Sequence, residues 1–178
     1  MYKVIYFKDD NCTKDYCQGQ VYYDFIDYAF ENADFFMLVF KNYGHGYSAK
    51  QRYFRDKLRK YKVKSRRDPF WPGTPGEYCD GTLYKIAFYR TDPEAIEILK
   101  EVDCLSAWGY GMPEDLCFFK QNKCWFYSVA HEYIGCIIDV TNSDLEFLRS
   151  HGLIDNEEQP FYPQNNYFEQ FHETIVDS

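Results

Sequence analysis

Between Leu116 and Val140, three runs rich in β-formers follow one another too closely for any crossover to fit. Leu116 to Lys120, Cys124 to Val129 and Tyr133 to Val140 are each separated by three residues. Parallel neighbours need a connection of about a dozen residues or more, usually a helix, so runs this close must pair antiparallel. That constraint argues against a doubly wound parallel sheet. It directs the reading to an α+β domain with a mainly antiparallel sheet.

The rest of the chain fills in the sheet and its cover. Tyr2 to Lys8, Asp34 to Asn42 and "LYKIAFYR" (Leu83 to Arg90) read as further strands, giving a sheet of about five to six. Apolar residues at helical spacing from Val21 to Asn32 mark a helix, with Asp24 and Asp27 placed early, towards its positive end. Ser48 caps a second helix reaching about Lys62, with Phe54, Leu58 and Tyr61 on a narrow apolar stripe. Asp92-Pro93 opens a short third helix, and Thr141 or Ser143 opens a fourth through Ser150, with Leu145 and Leu148 inward and Gly152 as its stop. Three to four helices therefore pack on the sheet.

At 178 residues the chain fits one domain with a substantial core. Residues 1–154 form that domain. "SRRDPFWPGTPGEYCDG", with three Pro and three Gly, interrupts it as a loop, centred on 68–81. Residues 155–178 hold six acids and neither Lys nor Arg, and read as an acidic, aromatic surface arm. The longest purely apolar run, "FFMLVF", is far too short to cross a bilayer, so no membrane association is expected. The opening "MYKVIYFKDD" has neither a basic leader nor a small-residue cleavage site, and seven Cys cannot all pair internally. The expected location is the cytoplasm.

Charge is unevenly spread. The 18 residues from Lys50 to Arg67 hold Lys50, Arg52, Arg55, Lys57, Arg59, Lys60, Lys62, Lys64, Arg66 and Arg67 against Asp56 alone, a net +9. The remaining 160 residues carry ten bases and 27 acids, a net −17. Such polarity steers encounters with charged partners. Aromatics make up 21% of the chain, and large rings both fill cores and anchor interfaces.

"CWFYSVAHE" (Cys124 to Glu132) places a thiol, a hydroxyl, an imidazole and a carboxylate within nine residues. A turn at Gln121-Asn122 sets Lys120 opposite Lys123, Phe119 opposite Cys124 and Cys117 opposite Phe126, with both thiols on one side of the sheet. Strict alternation then sends His131 to the other side with Trp125, Tyr127 and Val129. A Cys–His dyad needs both groups within hydrogen-bond reach, so Cys124 is read as core. His131 with Glu132 is retained as the centre of an enzyme alternative.

Other constellations are thinner. Cys12 and Cys17 have the spacing of one zinc knuckle, but a structural zinc needs four ligands and no second knuckle exists, so neither metal nor cofactor is expected. "FFMLVFKNYGHGYSAKQR" runs strand, glycine loop, helix start, which makes His45, Ser48 and Lys50 candidates for an anion contact. It matches neither the dinucleotide nor the P-loop pattern.

In general character the chain is similar to the small, acidic, single-domain immunity proteins that bacteria encode beside toxins. The resemblance is one of type and transfers no residue roles. It implies a non-enzymatic inhibitor binding one protein partner, a toxin or nuclease. The expected contact is an acidic and aromatic surface at Trp71, Trp108, Tyr110, Glu114, Asp115 and Trp125, since large aromatics dominate hot spots and acids match a basic cleft. The alternative is a nucleic-acid- or nucleotide-binding protein using the basic segment.

Overall fold

The computed structural model describes residues 3–8, 10–11, 13–42, 44–74, 81–155 and 171–175. Among these, seven strands build one antiparallel sheet: β1 Val4–Tyr6, β2 Phe35–Phe40, β3 Lys62–Asp68, β4 Tyr84–Arg90, β5 Glu114–Lys120, β6 Lys123–Val129 and β7 Ile134–Ile138. Their spatial order is β1-β7-β6-β5-β2-β4-β3. Four helices accompany them: α1 Gln20–Asn32, α2 Ala49–Lys57, α3 Pro93–Leu99 and α4 Asn142–Ser150. The α+β class is as expected, with one strand more than the sequence suggests.

That strand is β3. The helix expected to reach Lys62 stops at Lys57, a 3-10 turn spans Leu58–Tyr61, and Lys62 to Asp68 pairs along β4. Ser65 to Asp68, read as the start of a loop, are therefore strand. Only Val63 among its seven residues is apolar, so β3 has no hydrophobic alternation to betray it; backbone pairing with β4 holds it. It is an edge strand, where a row of cations also discourages pairing with other chains.

Local signals set the helix starts. Ser48 with Gln51, and Thr141 with Asp144, close reciprocal capping boxes on α2 and α4. Asp92 caps α3 with Pro93 just inside. α1 starts one residue earlier than its pattern suggests, from Gly19, with no acid in its first turn.

Both sheet faces are covered, which is why β2 reads as an unbroken apolar run. On one face α1 (Tyr22, Phe25, Ile26, Ala29), Phe54, Leu99 and Leu148 pack on Ile5, Phe36, Leu38, Phe118, Phe126 and Ile137. On the other, Trp71, Phe171 and Ile175 cover Met37, Ile86, Phe88, Cys117, Phe119, Cys124 and Cys136.

A β-bulge overturns part of the expected register. Lys120 opposes Lys123 and Phe119 opposes Cys124 as expected, but Phe118 opposes Phe126 and Cys117 opposes Tyr127. Trp125 is the extra residue, so Trp125 and Phe126 both enter the helix-side core while Cys124, Tyr127 and Val129 share the other face. Cys124 therefore lies on the side of Tyr127 and Val129, against the strict alternation. The turn's left-handed residue is Gln121, at φ 53°. No dyad results, because Cys124 is at the start of β6 and His131 lies beyond its end, in the 3-10 turn Ala130–Glu132.

Candidate functional site

A second bulge builds the most unusual site. Met37 opposes Cys117 while Val39 opposes Glu114, which leaves an extra residue at the start of β5. Asp115 takes the left-handed conformation there, at φ 54°. Asp tolerates this region better than most residues, and the bulge re-aims its side chain. The carboxylate accepts from Trp71 Nε1 at 2.8 Å and from the Ala130 backbone N–H at 3.1 Å. Asp115 is 3% exposed. Burial raises its pKa above the ordinary 3.8, while the nearby Lys41 ammonium and the two donated hydrogen bonds work against that rise.

Its neighbour Glu114, also buried, meets Lys41 Nζ at 2.7 Å. The same ammonium stands 5.0 Å above the Trp71 ring. These groups line or flank a cavity of about 600 Å³ whose lining includes Lys41, Trp71 and Asp115, the apolar side of Tyr127, Val129 and Ile134, and His131 with Glu132. His131 Nε2 lies 3.5 Å from Glu132 Oε1, both side chains largely in solvent. Thr74 Oγ1, also in the lining, is buried without a hydrogen-bond partner among the described residues. Gly73 is required where the wall is tightest: a Cβ there would come within 2.8 Å of Val129 and 2.9 Å of Tyr127. The cavity thus offers an apolar wall with a carboxyl of elevated pKa, a lysine and an imidazole–carboxylate pair.

The residues expected to form an exposed acidic and aromatic surface are mostly inside. Trp108 is 0% and Trp125 2% exposed, and Trp71, Glu114 and Asp115 are buried as well. Tyr110 alone of the six is open, at 84%. The correction has a simple cause: a Trp ring removes so much apolar area from water that core positions claim it first. Trp108 Nε1 is satisfied by the Tyr22 hydroxyl at 2.8 Å. Trp71, Glu114 and Asp115 do come together, but as a buried polar cluster.

The expected anion loop is internally engaged. Asn42 Oδ1 accepts from the Gly44 and Gly46 backbone N–H groups at 3.0 and 2.9 Å. Ser48 is occupied as the α2 cap, while His45 and Lys50 point to solvent. Of the knuckle pair, Cys17 is buried and Cys12 lies outside the described residues, as do 75–80 of the long loop and most of the C-terminal arm. Among the described residues no group of three metal-ligating side chains converges.

The basic segment is sorted by geometry into four sets. Lys57 pairs with Glu101 at 2.5 Å, and Lys60 pairs with Glu94, tying α2 and the turn after it to α3. Lys64 and Arg66 reach the C-terminal segment, at the Thr174 carbonyl and the Glu173 carboxylate. Arg55, Arg59 and Lys62 instead line a recess with Lys85, which sequence reasoning passed over inside "LYKIAFYR". Arg67 sits opposite Lys85 in the β3–β4 register. Lys50 and Arg52 remain exposed at the start of α2.

Acids gather elsewhere. Residues 20–32 and 92–103, α1 and α3 with its cap and exit, carry eight carboxylates against Lys100 alone. Asp27, Glu31 and Asp92 border a recess of about 380 Å³ whose apolar lining is Phe30, Pro93 and Ile96. No residue in this groove was picked out as a site residue from the sequence, because its acids lie 65 residues apart at the extremes, from Asp27 to Asp92. Comparisons with protein-family models, with curated proteins and with solved structures returned no match.

Proposed function

We propose that the protein is a non-enzymatic binding protein of the immunity or inhibitor kind, engaging a protein partner with a basic face. The contact surface is the recess between α1 and α3, in place of the Trp-anchored surface expected from sequence. One observation carries this reading: an apolar floor of Phe30, Pro93 and Ile96 bordered by Asp27, Glu31 and Asp92, on segments that carry eight acids and one base of their own, with Glu94 and Glu101 engaged by Lys60 and Lys57. An apolar centre inside a charged rim is the usual anatomy of a recognition surface, and segregated charge sets association rate and partner choice. Asp27 is already bonded to Lys100, so Glu31 and the neighbouring Glu97 are the charges to test.

The test is co-purification followed by affinity measurement. A partner retained stoichiometrically by the wild type should bind the Glu31→Lys/Glu97→Lys protein more weakly by about tenfold or more. Glu146→Lys on α4 should leave affinity unchanged. Equal loss in both variants, or none, removes the assignment.

A second reading has its own observation. His131 and Glu132 border the cavity that also exposes Asp115, and an elevated carboxyl pKa inside a cleft is characteristic of proton-transfer sites. This enzyme reading requires His131→Ala to fail in complementing deletion of the gene while partner binding survives. Full complementation by that variant ends it.

A further inference from the structure

Arg55 near the end of α2, Arg59 in the turn that follows, Lys62 at the start of β3 and Lys85 on β4 surround one recess of about 370 Å³, with Tyr89 alongside. Arg67 flanks it from across the β3–β4 pair. Asp56 is the single carboxylate in the lining, and it already takes the Arg55 guanidinium at 3.1 and 3.2 Å. Among the described residues, Arg59, Lys62, Arg67 and Lys85 have no carboxylate within ion-pair distance. Their neighbours in sequence do: Lys57, Lys60 and Arg66 are each paired. Apart from Lys50 and Arg52 at the start of α2 and Lys64 on the Thr174 carbonyl, the cations of the basic segment without a carboxylate partner thus lie around one concave place.

Concentrating like charge opposes folding unless an anion screens it. The Lys85 ammonium registers the conflict, its pKa held below the ordinary 10.5 first by burial and then by Lys62, Arg55 and Arg67. A solvated basic face would let its cations diverge, whereas Lys85 is partly buried at the base of the strand pair. Two guanidinium forks and two ammonium groups form the donor set that suits phosphate oxygens, since guanidinium binds them bidentately and ammonium as a point charge.

We propose that this recess binds a small ligand carrying two phosphate groups or more. Four cations against Asp56 leave three net positive charges, close to those of two phosphates at about −1.5 to −2 each. The volume falls near the lower end of the range for ligand sites, roughly 300 to 1,000 Å³. An extended nucleic acid would run past the recess and meet a body of net −17, which opposes it at long range. This inference is independent of the partner-binding reading.

The experiment is calorimetric titration of the full chain with pyrophosphate and with tripolyphosphate. The expected result is saturable one-to-one binding, weakened about tenfold by Arg59→Ala and similarly by Lys85→Met. Arg59 is exposed, so that variant tests the site without disturbing the core. NMR of the Lys85 side chain should show its titration midpoint rising when tripolyphosphate binds. Absence of saturable heat at millimolar ligand overturns the proposal, and so does binding indifferent to Arg59→Ala. Tighter binding of a duplex oligonucleotide, with a salt slope corresponding to about six phosphate contacts or more, also overturns it by assigning the cations to a polymer.

Discussion

Replacing Asp115 tests whether the bulge at the start of β5 exists to hold a carboxyl group. In Asp115→Ala, Trp71 Nε1 and the Ala130 N–H both lose their acceptor in a buried setting. Each orphaned donor costs about 1–3 kcal/mol. Alanine must also hold φ near 54°, which costs about 1–2 kcal/mol for a residue without a locally bonding side chain. Removing a buried carboxyl returns some of this, leaving a net loss of about 3–5 kcal/mol. Against a typical total of about 5–15 kcal/mol, that is a large share. Asp115→Asn tolerates the backbone and keeps one acceptor oxygen, so its cost is about 1–2 kcal/mol. The two proteins also differ in pH dependence. A carboxyl whose pKa is raised on folding is protonated longer in the native state, so wild-type stability falls as pH rises from the ordinary 3.8 to the raised value, then levels. The Asn variant lacks that fall, so the wild type's advantage is largest in acid. Urea denaturation followed by Trp fluorescence across this pH range measures both effects. An alanine cost below about 1 kcal/mol, or parallel pH curves, would mean that the bulge is not held by the carboxyl group.

Other elements make equally specific predictions. Gly135→Ala places a methyl 2.6 Å from Phe7 Cδ2, which the packed core resists, so denaturation should show a loss of about 1–3 kcal/mol. Tyr22→Phe removes the acceptor for Trp108 Nε1 and the donor to the Leu99 carbonyl, both 2.8 Å contacts, and should cost about 1–3 kcal/mol. Thr141→Ala opens the α4 capping box and should cost about 1 kcal/mol, checked by thermal unfolding. Burial pushes the Cys124 thiol well above its ordinary value and Cys136 up to about 12, so alkylation at pH 8 with peptide mapping should spare both until denaturant is added.

The meander was legible because its turns are too short for any other pairing, and helix caps such as Ser48 and Thr141 carry their mechanism in their own side chains. β3 was not, because Lys, Ser and Arg on an edge strand give no apolar period and tertiary pairing with β4 overrides their preference. The Trp125 bulge was equally invisible: one extra residue reverses every later side chain, yet no residue type announces it. At the site, sequence reasoning picked Trp71, Glu114 and Asp115 for one binding surface and His131 for an enzyme alternative, and folding brings Trp71, Asp115 and His131 to one cavity with Glu114 beside it. It misplaced Trp71, Glu114 and Asp115 on the surface, since apolar burial of Trp outranks exposure. Lys41 carried a readable signal, the first cation after "FFMLVF". Lys85 and the α1–α3 recess depend on long-range packing and had none.

The most direct test of the account is the association rate constant with the captured partner as ionic strength rises. Recognition through the acidic α1–α3 face predicts a rate that falls about tenfold or more from low to high salt in the wild type, and a flattened dependence in Glu31→Lys/Glu97→Lys. An unchanged salt dependence in that variant, with binding lost instead on Asp115→Asn, would contradict it and move recognition to the cavity.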